Sequence, residues 1–136
     1  MADVRYQSNI PAIIAALQVE AASIVDDSMT AMGRYLLEGF QAPKSGVIYR
    51  RAGRDHQASA PGEPPAIDTV DLASKIEPYK ETPTRGTMTS YSEHSAVMEY
   101  GGKNVAARPF WSVALERTRP GYEARVQAIF ANLRIA

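Results

Sequence analysis

Histidines and paired carboxylates are the side chains most used for metal binding and proton transfer near neutral pH. This chain of 136 residues has two histidines and no cysteine. Neither His56 nor His94 stands in an H-x-x-x-H or H-E-x-x-H spacing. A metal at His94 would need Glu93 and Glu99 beside it, and both histidines read as ordinary surface residues. Glu63, Asp68 and Asp71 gather after a proline-rich stretch. Asp68 and Asp71, however, are spaced i,i+3 at the start of a predicted helix, where capping and the macrodipole already favour acids. No serine sits in G-x-S-x-G, and Gly101-Gly102-Lys103 lacks the upstream glycine of a phosphate-binding loop. The missing cysteines remove thiolate catalysis, disulfides and cysteine-based zinc sites. The reading is therefore of no catalytic residue, no metal, no cofactor and no enzyme.

Two groups of side chains point to contacts instead of bond chemistry. Lys44, Arg50, Arg51 and Arg54 cluster around Tyr49 and could meet DNA phosphates or an acidic partner, or could simply be a solvated hairpin tip. Phe110 and Trp111 are adjacent on a predicted helix and point about 100° apart. Phe110 is expected in the core, with Trp111 either partly exposed or at a subunit contact. The net charge is zero, yet the signs fall in blocks. Residues 1–40 hold two basic and five acidic side chains, and residues 103–136 hold six basic and two acidic. Such a chain is poorly equipped for long-range attraction to DNA but can be self-complementary when copies meet. Arg117, Arg119 and Arg125 are the expected basic contacts, together with the Arg108, Pro109, Phe110 and Trp111 junction.

The elements that must carry these groups follow from periodicity. One domain is expected over 1–136. Asn9 caps a helix with Pro11 in its first turn, and apolar residues recur at three-four spacing from Ile10 to Leu37, with Gly39 as the expected stop. About 30 residues make a rod of about 45 Å, longer than a compact domain of this size needs. That calls for a kink at Gly33 or partners beyond the monomer. A hairpin follows, Ser45–Arg51 and His56–Ser59 about a turn at Ala52–Asp55, then an extended loop over Ala60–Pro65, so that about 44–66 reaches away from the body. Next come a short helix from Asp68 to Ile76, capped by Asp68 or Thr69, and strands at Ile76–Lys80, Gly86–Tyr91 and Ala96–Tyr100. Pro109 starts a helix that Arg119-Pro120-Gly121 interrupts, and Tyr122–Ile135 completes the chain. The class is α+β: a long N-terminal helix and C-terminal helices packed on a small antiparallel sheet with an extended hairpin and loop. No apolar run approaches the roughly 18 residues needed to span a bilayer, and the start, Met1-Ala2-Asp3-Val4-Arg5, does not read as a secretory signal. The chain is expected to stay in the compartment where it is made.

Four segments, in order, carry a family resemblance. They are Ala58-Ser59-Ala60-Pro61-Gly62-Glu63-Pro64-Pro65, Asp68-Thr69-Val70-Asp71-Leu72-Ala73-Ser74-Lys75-Ile76, Val97-Met98-Glu99-Tyr100-Gly101, and Ala107-Arg108-Pro109-Phe110-Trp111-Ser112-Val113-Ala114-Leu115. With them the chain resembles the neck and tail-completion proteins of long-tailed bacteriophages, the small head–tail joining components. The resemblance implies a virion protein, assembled in the host cytoplasm. It would form a ring of itself, sixfold or a multiple, against head-completion (connector) and tail-tube or tail-terminator proteins, with genomic DNA passing non-specifically and no membrane involved. Neck, stopper and tail-terminator roles share this size and assembly. A small prophage-derived nucleic-acid-binding module is the alternative from another class.

Overall fold

The computed structural model describes residues 7–66 and 70–133. The elements run α1 (Ile10–Gln41), β1 (Ile48–Arg51), β2 (Arg54–Gln57), α2 (Val70–Ser74), β3 (Ile76–Thr82), β4 (Arg85–Ser90), α3 (Ser95–Tyr100) and α4 (Trp111–Asn132). The class is α+β, but the strands make two separate two-stranded antiparallel sheets, β1–β2 and β3–β4. The caps expected at Asp68 or Thr69 lie outside the described residues, as does the end of the last helix at Ile135.

Helix α1 is 32 residues long, about 48 Å, and is continuous through Gly33. Asn9 stands at its cap without a side-chain cap bond, and the Ser8 hydroxyl accepts from the Ile10 amide instead (3.3 Å). Gly39 is not the stop. The helix ends at Ala42 (φ −58°, ψ 148°), because the ring of Pro43 excludes the helical conformation from the residue before it. Lys44 then folds back, and its Nζ donates to the Gly39 carbonyl (2.6 Å) in the last turn, where a cation is favoured by the helix dipole.

Two further expectations change. Ala96–Tyr100 is not a strand but part of α3. Ser95 and Met98 amides donate to Ser92 and His94 carbonyls, and Gly101 at φ 80° takes the left-handed stop, its amide donating to Val97. Alanine, methionine and glutamate prefer helix to sheet, which the short alternation of apolar residues concealed. Helix α4 is likewise unbroken across Pro120. Proline leaves the Glu116 carbonyl without its amide partner, but Pro120 and Gly121 are exposed, where water can serve it. On the inner side Ala114 and Thr118 are buried against the body, and the Thr118 hydroxyl donates to Ala114 (2.8 Å).

The core lies at one end of the two long helices. Leu36 and Phe40 of α1 meet Phe110 and Ala114, and Met32, Tyr35, Leu72, Ala73, Ile76, Met88, Met98 and Trp111 close around them. The Phe40 and Phe110 rings sit 5.5 Å apart and tilted, the geometry preferred by aromatic pairs. The β3–β4 hairpin lies on α1, paired from Ile76↔Ser90 to Thr82↔Arg85 with an irregularity between Lys80 and Thr82. Gly86 brings the strand close to α1: a Cβ there would have to displace the Met29 side chain and press on Val25. Lys80 Nζ reaches Asp26 at 2.6 Å and ties the hairpin to α1.

Phe110 is 1% exposed, so Phe110→Ala is expected to cost about 3–5 kcal/mol in chemical denaturation. A loss below about 1 kcal/mol would show that the aromatic pair does not hold the body together.

Candidate functional site

The junction singled out in the sequence, Arg108 to Trp111, is built around a carboxylate that the sequence reading had considered only as a metal ligand. Helix α4 begins with no serine, threonine, aspartate or asparagine at its cap; Phe110 occupies that position. Glu99, from α3, supplies the missing acceptors. Its Oε2 accepts from the Phe110 amide (2.8 Å) and the Trp111 amide (2.9 Å), and its Oε1 from the Ser112 amide (3.0 Å). Pro109 therefore does not start the helix; it precedes the cap and feeds the chain into it. Arg108 is tied down from both sides. Its amide donates to Met98 (2.6 Å), its Nε to the Ser59 carbonyl (3.2 Å) and its Nη1 to Ala106 (3.1 Å). Trp111 is half-buried and its Nε1 donates to the Ser95 hydroxyl (3.3 Å). The signal available in the sequence was indirect: a helix start lacking its own capping residue needs an acceptor from elsewhere.

The loop Ala60–Pro65 is not extended. Pro61 and Gly62 (φ 86°) occupy the corners of a turn closed by the Glu63 amide donating to Ala60 (3.1 Å), as proline–glycine order favours. The Gly62 amide donates to Ala107 (2.9 Å), and Pro65 is buried. Glu63 then clasps the base of the excursion, accepting from the Ala60 amide (2.8 Å), the Ser45 amide (3.1 Å) and the Ser45 hydroxyl. The Ser45 hydroxyl and these amides lower its pKa to about 2.

Beyond that clasp the β1–β2 ribbon does stand out. Seven of its eight strand residues are exposed, His56 being the exception. Its turn has two residues, Ala52 (φ 51°) and Gly53 (φ 78°), shorter than the expected Ala52–Asp55; both lie in the left-handed region that a tight hairpin requires. Tyr49 stacks on His56 across the strands. Arg50 pairs with Asp55 in register and Arg51 lies directly opposite Arg54, a like-charge pair that weakens the ribbon on its own. Arg50 also donates to Gly53 (3.4 Å). Of the four expected basic contacts, Lys44 alone belongs to the body.

The three arginines expected at a subunit contact bind their own chain. Arg117 reaches Glu38 (2.8 Å) and lies 4.1 Å from the centre of the Tyr35 ring, with Arg34 also over that ring at 4.9 Å. Arg125 pairs with Asp27 and donates to the Ser23 hydroxyl (3.1 Å). Arg119 meets Glu116 on its own helix (3.2 Å). The attraction between an acidic first helix and a basic last segment is thus used within one chain, because α1 and α4 pack side by side. These pairs are exposed and each is worth about 0–1 kcal/mol.

Among the described residues no three histidine, cysteine, aspartate or glutamate side chains gather as a metal-binding group, and no helix is long and apolar enough to cross a membrane. Asp71 is held by Lys75 (2.6 Å) and the Ser92 hydroxyl (3.2 Å).

Burial raises the Glu99 pKa, but hydrogen bonds from the Ser112 hydroxyl and the three amides outweigh it and leave the carboxyl below its usual value. The folded state therefore gains from ionised Glu99 above the unfolded carboxyl range near pH 4.3, and loses that gain as pH falls through the lowered folded value. Glu99→Ala strands three amides and is expected to cost about 2–4 kcal/mol at pH 7. The same substitution should flatten the acid limb of the stability–pH curve. A wild-type acid limb in Glu99→Ala would refute the capping role.

Comparison of the chain with protein-family models, with curated proteins and with solved structures returned no match.

Proposed function

We propose that this chain is a structural, non-catalytic subunit of a tailed-bacteriophage virion, forming a ring at the head–tail junction that joins or completes the tail and lets DNA pass. The resemblance of the segments from Ala58 to Leu115 to neck and tail-completion proteins is the starting point. The observation that carries the reading is that the fold leaves two of its own elements uncovered. One is the β1–β2 ribbon. A two-stranded ribbon in water is marginal by itself. The other is the far end of the long helices, where Ile10 (57%), Val19 (69%) and Phe130 (70%) lie exposed. A subunit whose fold is completed by neighbours fits that pattern. Partners would be further copies and the adjoining connector and tail proteins, and the virion would be the place of residence.

Neck, stopper and terminator rings remain equivalent on this reading. The second reading, a small nucleic-acid-binding module, is favoured by one observation: the exposed ribbon carries three arginines, with Arg51 directly opposite Arg54, and among the described residues Arg54 pairs with no carboxylate.

Negative-stain imaging of the purified protein, with a particle reconstruction, is expected to give rings and to place the chain between portal and tail tube. A monomer that instead binds oligonucleotides with a steep salt dependence, lost in Arg50→Ala/Arg54→Ala, would replace the ring reading with the binding module.

A further inference from the structure

The exposed ribbon and the exposed helix ends have complementary chemistry. Past the core, α1 and α4 continue as a two-helix arm, Ile10–Val25 against Tyr122–Asn132. Ile24 is buried between the helices, but among the described residues no third layer lies over Ile13, Ala16, Leu17, Ala128, Ile129 and Leu133, which with Glu20, Arg125 and Asn132 line a groove of about 440 Å³. From Ile10 to Ala22 the only charged residue is Glu20. A helix apolar nearly all round needs cover on more than one face, and α4 covers only one.

We propose that this groove receives the β1–β2 ribbon of a second copy of the chain. The ribbon has an apolar root, Val47 (78% exposed) and Ile48 (64% exposed), and a tip carrying Arg50, Arg51 and Arg54 against the single acid Asp55. The groove has an apolar floor with one acid and one base at its edge: Arg125 is taken up by Asp27, as Asp26 is by Lys80, while Glu20 makes no ion pair among the described residues. Helix α1 as a whole carries four acids and one arginine, so its surplus is opposite in sign to the ribbon's. Apolar root on apolar floor and cationic tip near an unpaired carboxylate set one orientation. With Arg125 already held by Asp27, the charge left to answer at the groove is that of Glu20, and the cationic ribbon answers it.

The contact is heterologous: each copy gives a ribbon and offers a groove, the arrangement that closes into a ring. It deepens the assembly reading above and rests on it. Strands of four residues reach only about 13 Å, so one contact is small, and closure makes it hold by giving every copy two.

The absence of cysteine makes disulfide trapping clean. Val47→Cys with Ala16→Cys places one thiol on the ribbon and one in the groove, both at exposed positions. The control pairs Val47→Cys with Gln18→Cys, which is exposed but does not line the groove. Circular dichroism checks that each variant is folded. Oxidation is expected to give a ladder of intermolecular products from the first pair and not from the control, lost when Arg50→Glu/Arg54→Glu is added and restored by Glu20→Lys. No ladder at high concentration, or equal ladders from both pairs, overturns the inference. Rings in the microscope without the ladder would overturn this interface and leave the ring reading standing. A ladder from a protein that a particle reconstruction places away from the neck would do the reverse.

Discussion

The Glu99 carboxylate joins α3 to the first turn of α4, and the body of the fold depends on it. A helix of 22 residues starting at Trp111 brings unsatisfied amides into a nearly dry environment, next to the buried Phe110 ring. Nothing in Arg108-Pro109-Phe110 can accept them. By answering all three from α3, Glu99 fixes the position of α4's first turn, and with it the ring that fills the space against Phe40. Burial of a charge is costly unless every lone pair is used. Here the charge is spread over three amides and a hydroxyl, which is why its net effect is to keep the carboxyl ionised.

From that fixed start the rest of the architecture is a matter of length. Both long helices outrun the core. The body uses Met32 to Phe40 of α1 and Phe110 to Thr118 of α4, with α2, α3 and β3–β4 packed around them. Beyond it Arg125–Asp27 and Ile24 hold the helices together, but no strand among the described residues follows them out to Ile10. The same economy governs the ribbon: Glu63 and Ser45 clamp its root to the body, Gly46 admits the Ala58 carbonyl at close range, and the strands beyond the clamp are left to solvent. The buried aromatic and aliphatic cluster is concentrated at one end of the long helices, and the ribbon and the helix ends contribute none of it.

This division also accounts for the charge pattern. Blocks of opposite sign along a chain are ambiguous, since they can be matched within one copy or between two. In this fold Glu38 and Asp27 take Arg117 and Arg125 within the copy. Among the described residues Glu20 on the arm and Arg54 on the ribbon have no such partner, and they stand on the two uncovered elements.

The sequence by itself determined the elements whose signals are local. Three-four spacing gave α1, with Pro11 at one end and Pro43 at the other. The Ala52-Gly53 step gave the β1–β2 hairpin, two strands were expected close to where β3 and β4 lie, and bulk and apolarity put Phe110 in the core. Tertiary structure decided what depended on a distant partner. That Glu99 of α3 would supply the acceptors for the start of α4 was decided in space. Continuity through Pro120 was possible because the buried side of α4 packs while the proline faces water. The Ala60–Pro65 loop became a docked turn through Ala107 and Ser45, residues far along the chain. Acceptors and charges find partners through space, and spacing along the chain does not record which ones are near.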